Sequence, residues 1–401
     1  MRRTTTPRSV SLLAGAGKAL PGWKGVALGE RPGTFDLGFG SGRIVSITPQ
    51  PSQPAQWLAL PAFVNFHAHA DRSFAAPAPA PASLTQAVAA ARAERATLTV
   101  GDIQRRAHRF LSRALAHGTA LVRTHTDVDA AIGLRAIEGV LAAAAEIGDA
   151  IDVEMVAFAN AAADPTRAAS RDLLASAVNR GARLVGAVPA LCERPLASAD
   201  SLLGLAADLG VGADLHLDEH LDVGATVLEG VIDAVVRRQL DGRVTFSHCC
   251  VLSVMDDATV KRLLERMALA RITLSVQPGA NLYLQDRGAA SPRLRGIPPV
   301  LQALRAGVDV RFGTDNVRDR FVPLGDADPL DEGRLGVLAA HLESPSELMG
   351  AMCGGRRQLA VGDGADMVLI PAESLDDALA RRPTGRILVR GGRVVWPRRS
   401  T

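Results

Sequence analysis

Between residues 60 and 315 the sequence alternates eight times between a short apolar run and a stretch of helical character. The apolar runs are 60–69, 119–126, 151–159, 183–189, 212–218, 243–249, 272–277 and 308–315. Most are rich in Val, Ile or Leu, the composition of strands covered on both faces. Alanine-rich helical stretches separate them, at 84–96 and 101–117, 132–147, 170–180, 198–209, 224–239, 256–269 and 297–306. Eight such units over roughly 250 residues predict an α/β fold, a TIM-like (β/α)8 barrel. The competing doubly wound open sheet calls for a glycine-rich phosphate loop after its first strand. The segment that follows here, His67-Ala-His-Ala-Asp-Arg-Ser-Phe74, is not one.

The two ends of the chain read differently. Residues 9 to about 57 break into short strands between Gly and Pro turns, among them Gly25–Leu28, Thr34–Gly38 and Gly42–Thr48. Ala365–Ile370 and Gly385–Trp396 repeat that pattern at the other end. The two sets are expected to pair into a small β-sandwich, giving a domain of residues 1–58 and 346–401 around a barrel of residues 59–345. The Ala-Pro run through Ala82 reads as an extended connector and part of a lid.

Composition narrows the function. The net charge of +3 is spread along the chain and aromatic residues are only 3%, so a nucleic-acid partner is not expected. No apolar run reaches the roughly 18 residues of a membrane span, so no membrane partner is expected either. Cys192, Cys249, Cys250 and Cys353 show no CxxC spacing and read as reduced thiols of a cytoplasmic protein. Met1-Arg2-Arg3 and the short apolar run after it read as a ragged tail rather than an export signal.

The polar ends of the apolar runs carry the chemistry. On a strand, residues two apart share a face, so His67 and His69 present both imidazoles to one side. Neutral imidazoles so placed suit a metal of the zinc, iron or manganese group. Strand two ends in His125 and Asp127, strand five in His216, Asp218, Glu219 and His220, strand six in His248, and strand eight in Asp315 and Asn316. Barrel enzymes place their chemistry at these ends. His108, His117 and His341 lie in helical stretches and read as structural or surface groups.

HxH on strand one, His on strands five and six and Asp on strand eight resemble the amidohydrolase superfamily, over essentially the whole chain. Within it the sequence is most similar to cytosine deaminases, through Val122–Val128, His216–Glu219, Val244–His248, Asn281–Arg287, Phe312–Val317 and Val322–Gly325. The run from Asp315 to Asp319 also resembles N-isopropylammelide hydrolases. Some members bridge two metals with a carboxylated lysine on strand four. Here strand four has no lysine, and Lys18, Lys24 and Lys261 lie at no predicted strand end. The resemblance therefore implies one divalent ion, zinc or iron, on His67, His69, His216 and Asp315.

It also implies roles. Glu219 would move a proton from water to a ring nitrogen, His248 would orient the attacking oxygen, and Asp315 would pass a proton to the leaving amine. The expected reaction is hydrolytic deamination of cytosine or a related aminopyrimidine or cyclic amidine, a place in nucleobase metabolism. The alternatives are hydrolysis of an N-alkylamino-triazine or cyclic amide at the same site, and a non-catalytic binding homologue. Substrate contacts are expected from Asn160, Asn316 and Gln285. Asn160 stands where cytosine deaminases carry a Gln, and Asn316 where they carry an acid, which puts cytosine itself in doubt. The partner is a small heterocycle, and the reading leaves room for a homo-oligomer. The separate cytidine-deaminase fold carries a P-C-x-x-C signature, which this sequence lacks.

Overall fold

A computed structural model describes residues 19–50, 54–76, 84–160, 162–288, 291 and 294–397. The N-terminal tail and most of the Ala-Pro connector, residues 77–83, lie outside them. The smaller sheet contains β1 (Gly22–Leu28), β2 (Phe35–Gly40), β3 (Arg43–Pro49), β4 (Trp57–Pro61), β13 (Met367–Ile370), β14 (Ile387–Arg390) and β15 (Arg393–Trp396). The barrel strands are β5 (Phe63–Ala68), β6 (Thr119–Val128), β7 (Asp152–Ala159), β8 (Leu184–Ala187), β9 (Gly212–Leu217), β10 (Val244–His248), β11 (Thr273–Val276) and β12 (Asp309–Phe312).

These eight strands pair in sequence order, every neighbour parallel. Helices α1 (Leu84–Arg95), α2 (Val100–Ala116), α3 (Arg135–Ile147), α4 (Ala168–Arg180), α5 (Pro195–Leu209), α6 (Leu228–Arg237), α7 (Asp257–Leu269), α8 (Pro278–Leu284), α9 (Val300–Arg305) and α10 (Pro329–Ala340) lie between and after them. Helix α2 shows how the sequence makes these helices. Thr99 and Asp102 form a capping box, and Ile103, Ala107, Phe110, Leu111 and Ala114 bury one face.

Strands β12 and β5 meet at a seam. Ala68 bridges Asp315 in parallel, and the Asp315 N–H donates to the His67 carbonyl at 2.8 Å. Asn65 and Thr314 exchange two further hydrogen bonds, of 2.7 and 3.0 Å. Gly313 is required here, because a Cβ at that position would lie 2.4–2.6 Å from three His67 atoms.

The smaller sheet has the order β15-β14-β13-β4-β1-β2-β3, so both chain ends meet in it as expected. The module read as a sandwich is one seven-stranded sheet around its own cluster, which includes Trp23, Leu37, Phe39, Met367 and Val389. The apolar run 60–69, read as a single strand, is divided at Ala62. Its first part belongs to β4 in the smaller sheet and its second part is β5. Three more helices than the alternation suggested follow strand seven and strand eight: α8, α10 and α11 (Pro345–Met352), the last packed on β12 and β5. A further helix, α12 (Leu375–Arg381), joins β13 to β14.

Candidate metal and active site

The C-terminal ends of β5, β9 and β10 and the seam after β12 aim their polar residues at one point. His69 Nε2 lies 3.2 Å from His216 Nε2 and 3.2 Å from Asp315 Oδ1, and His67 Nε2 is 3.5 Å from that same oxygen. Donors arranged tetrahedrally around a cation at bond lengths of about 2.1 Å stand roughly 3.4 Å apart. The spacing therefore fits a single small divalent ion. His67, His216, His248 and Asp315 each bring one donor atom within 4.8 Å of the others. His248 approaches from the other side of the carboxylate, its Nε2 lying 4.0 Å from Asp315 Oδ2.

Three of these buried atoms, His67 Nε2, His248 Nε2 and Asp315 Oδ1, have no hydrogen-bond partner among the described residues. Buried polar groups are normally paired, so an orphaned cluster of donors is the mark of a missing ligand. The electrostatics agree. Burial, with His125 nearby, pushes His67 down to about 3, and burial holds His69 and His216 well below their ordinary range. All three are neutral at neutral pH, with a lone pair free for a metal. Burial opposes the charge on Asp315, yet contacts with His67 and His69 hold it well below the carboxylate range. The set is three neutral imidazoles and one anion.

The backbone is bent to deliver them. His248 and Asp315 adopt left-handed conformations, with φ of 71° and 54°, and so does Asp218 at 47°. Such strain in non-glycine residues persists where the surroundings enforce it, and it concentrates at functional sites.

A layer beneath fixes the ligands. His67 Nδ1 lies 3.0 Å from Ser247 Oγ, which donates to Asp214 Oδ1 at 2.7 Å. Arg123 donates to the other Asp214 oxygen at 3.0 Å, and His125 Nε2 lies 3.2 Å from Asp214 Oδ1. The His69 Nδ1–H donates to the His125 carbonyl at 3.0 Å, leaving the Nε2 lone pair toward His216 and Asp315. Asp214 and Ser247 were not singled out in the sequence. The available signal for Asp214 was its position two residues before His216, on the same strand face. His125, expected at a strand end, belongs to this lower layer.

Above the donors opens a cavity of about 170 Å³. His69, His216, Glu219 and Asp315 line its floor side, and Phe158, Val188, Leu191 and Phe321 supply apolar walls. Glu219 Oε1 is 3.9 Å from His248 Nδ1, and burial pushes its carboxyl up. His248 Nδ1 also lies 3.0 Å from Asn281 Oδ1, on α8.

Asn160 and Asn316 line this cavity, with part of each amide already committed. Asn160 donates to Asp129 at 2.9 Å and accepts from the Ala162 N–H at 2.9 Å. Asn316 donates to Asp319 at 2.6 Å. Gln285 lies outside the lining and donates to the Glu219 carbonyl at 3.3 Å, holding the backbone of that loop. Arg72 and Arg95, absent from the sequence-based set, stand on the cavity wall.

Comparison with known proteins agrees with this geometry. The amidohydrolase family profile matches residues 136–396. A pterin deaminase of Rhizobium rhizogenes is 31% identical over 386 residues, covering 90% of this chain and 87% of that one. An N-isopropylammelide isopropyl amidohydrolase of Pseudomonas sp. is 26% identical, covering 92% and 95%. The crystal structure of a 5-methylcytosine deaminase from Klebsiella pneumoniae superposes with a TM-score of 0.85 at 26% identity, covering 95% and 98%. The chain belongs to the amidohydrolase family.

Proposed function

We propose that this protein is a hydrolytic deaminase of a small nitrogen heterocycle in which an exocyclic amine sits on an amidine carbon. The observation that carries it is the meeting of His67, His69, His216 and Asp315 beside the half-buried Glu219, the last four against one cavity. A divalent ion, zinc or iron, held by those four would lower the pKa of water toward about 7. The remaining chemistry falls to the chain. Glu219, its carboxyl raised by burial, takes a proton from the attacking water and delivers it to the ring nitrogen. His248, whose Nδ1 lies beside Asn281, turns Nε2 toward the reacting oxygen and orients it. Asp315 Oδ2, on the His248 side, takes the remaining proton from the attacking oxygen and hands it to the amine, so that the C–N bond breaks and ammonia leaves.

Residues 59–345 would carry this chemistry, with residues 1–58 and 346–401 as an accessory domain, in a cytoplasmic protein of nucleobase or related metabolism. Cytosine and the fused amino-oxo ring of a pterin are the substrates to try first. Similarity to the isopropylammelide enzyme supports a second reading, release of an alkylamine from a triazine. Incubation of the metal-loaded protein with aminopyrimidines, pterins and N-alkylaminotriazines tests both. Ammonia from an amino ring supports deamination. Alkylamine without ammonia replaces it by the second reading, and neither product, with less than about 0.3 metal per chain after reconstitution, points to a non-catalytic homologue.

A further inference from the structure

Two arginines stand on the wall of the catalytic cavity, and they differ in how their donors are used. Arg95 donates to Asp127 at 2.6 Å and sits 3.2 Å from Asp129. Arg72 is also largely buried, but its Nη1 lies 3.7 Å from Asp127 and its Nε 3.5 Å from Asp319. Those contacts give charge neutralisation without a hydrogen bond, and Arg72 Nε has no partner among the described residues. The guanidinium is held in place from its face, with Phe321 4.6 Å away. A guanidinium carries five N–H donors in a rigid planar fork. A second, smaller void of about 20 Å³ touches Arg72, Asp71 and Asp127. It has room for about one water, too little to serve more than one or two of the five donors.

We propose that Arg72 selects the substrate by donating hydrogen bonds to a neutral oxo group on the ring, on its face toward the larger cavity. The assignment rests on the deaminase reading and names which rings that site takes: amino-oxo heterocycles in preference to amino heterocycles without an oxo group. A carboxylate in place of the oxo oxygen is disfavoured, because Asp127 and Asp319 already flank Arg72. The two cavity amides are partly committed: Asn160 and Asn316 each donate to a carboxylate, Asp129 and Asp319, and carry no charge to strengthen a further bond.

Binding of two rings without an exocyclic amine tests this independently of turnover. Calorimetry on the metal-loaded protein would compare 4-pyrimidinone with pyrimidine, which lacks the oxygen. The wild type is expected to prefer 4-pyrimidinone by about tenfold or more, the loss expected when a charged donor is removed. In Arg72→Met that preference should vanish while pyrimidine binding and metal content stay as they were. Arg72→Lys keeps the cation without the fork and should fall between the two, which covers the case of a Met variant that does not fold. A purely structural Arg72 would weaken both rings equally. Equal weakening, an unchanged preference in both variants, or no preference in the wild type overturns the proposal. If the preference behaves as stated but no amino ring releases ammonia, the deaminase reading fails and the oxo site stands. Ammonia release with an unchanged preference in the variants does the reverse.

Discussion

Two buried charged clusters in this molecule share their ingredients and differ in their bonding. At Arg386, 2% exposed, both η nitrogens reach the Asp328 carboxylate at 2.7 Å, while the His117 and Pro383 carbonyls accept the other donors at 3.0 Å. Asp328 in turn caps α10 through the Leu330 N–H. That cluster closes on itself. At Asp315 one carboxylate oxygen and the Nε2 atoms of His67 and His248 crowd together without a hydrogen bond among the described residues. A closed network holds the fold, and an open one awaits a ligand. Glu332 lies between the two cases, a buried carboxyl that accepts one bond, from the Gly279 N–H at 2.8 Å.

Cutting the closed cluster should cost the most. Asp328→Ala strands a buried guanidinium, and breaking such a pair destabilises by about 3–5 kcal/mol. The variant should unfold at distinctly lower denaturant in equilibrium titrations, and added metal should not restore it. Glu219→Gln should do the opposite: wild-type metal content and unfolding midpoint, with turnover down about a hundredfold or more. Full activity in that variant would remove Glu219 from the mechanism.

The layer under the metal ligands blurs the contrast, because it is closed yet serves the open set. Asp214→Asn keeps the shape but weakens the hold of Ser247 on His67. It should weaken metal affinity by about tenfold to a hundredfold, read by competition with a chelator. An unchanged affinity would make Asp214 a merely structural acid.

The most gradual effect is expected at Glu332, where burial pushes the carboxyl up to about 8 from an ordinary 4.5. The folded state keeps its proton longer than the unfolded state does. Its contribution to stability is whole below about pH 4.5 and is lost as the pH rises through about 8, by at most about 1.4 kcal/mol per pH unit. Glu332→Gln should flatten that slope, measured as unfolding midpoint against pH. A slope unchanged in the variant would place the titration elsewhere.

How much of this was legible depended on whether a feature is periodic or spatial. The barrel was legible because most strands are apolar runs that end in polar residues; those ends offered His67, His216, His248 and Asp315 alongside His125 and His220, and the family resemblance chose among them. The division at Ala62 was not, because apolar residues continue across it and only the pairing partners change. Helices α8, α10 and α11 begin with proline in connecting sequence, where the eightfold alternation gives no cue. Asp214 and Ser247 sit inside strands; sharing a face with His216 was the one cue for Asp214, and the role of either residue depends on partners from other strands. Arg72 is the clearest case: nothing in the sequence assigns it a role, and its burial beside the cavity, with Nε unpartnered among the described residues, exists only in three dimensions.

The account turns on the open donor set holding one ion. Metal analysis of reconstituted wild-type protein and His67→Ala, by elemental mass spectrometry after gel filtration, tests it directly. About one divalent ion per wild-type chain, and loss of that ion in a variant that still folds, is the predicted result. A wild type that retains no ion, or a His67→Ala protein that holds it as tightly, would contradict it.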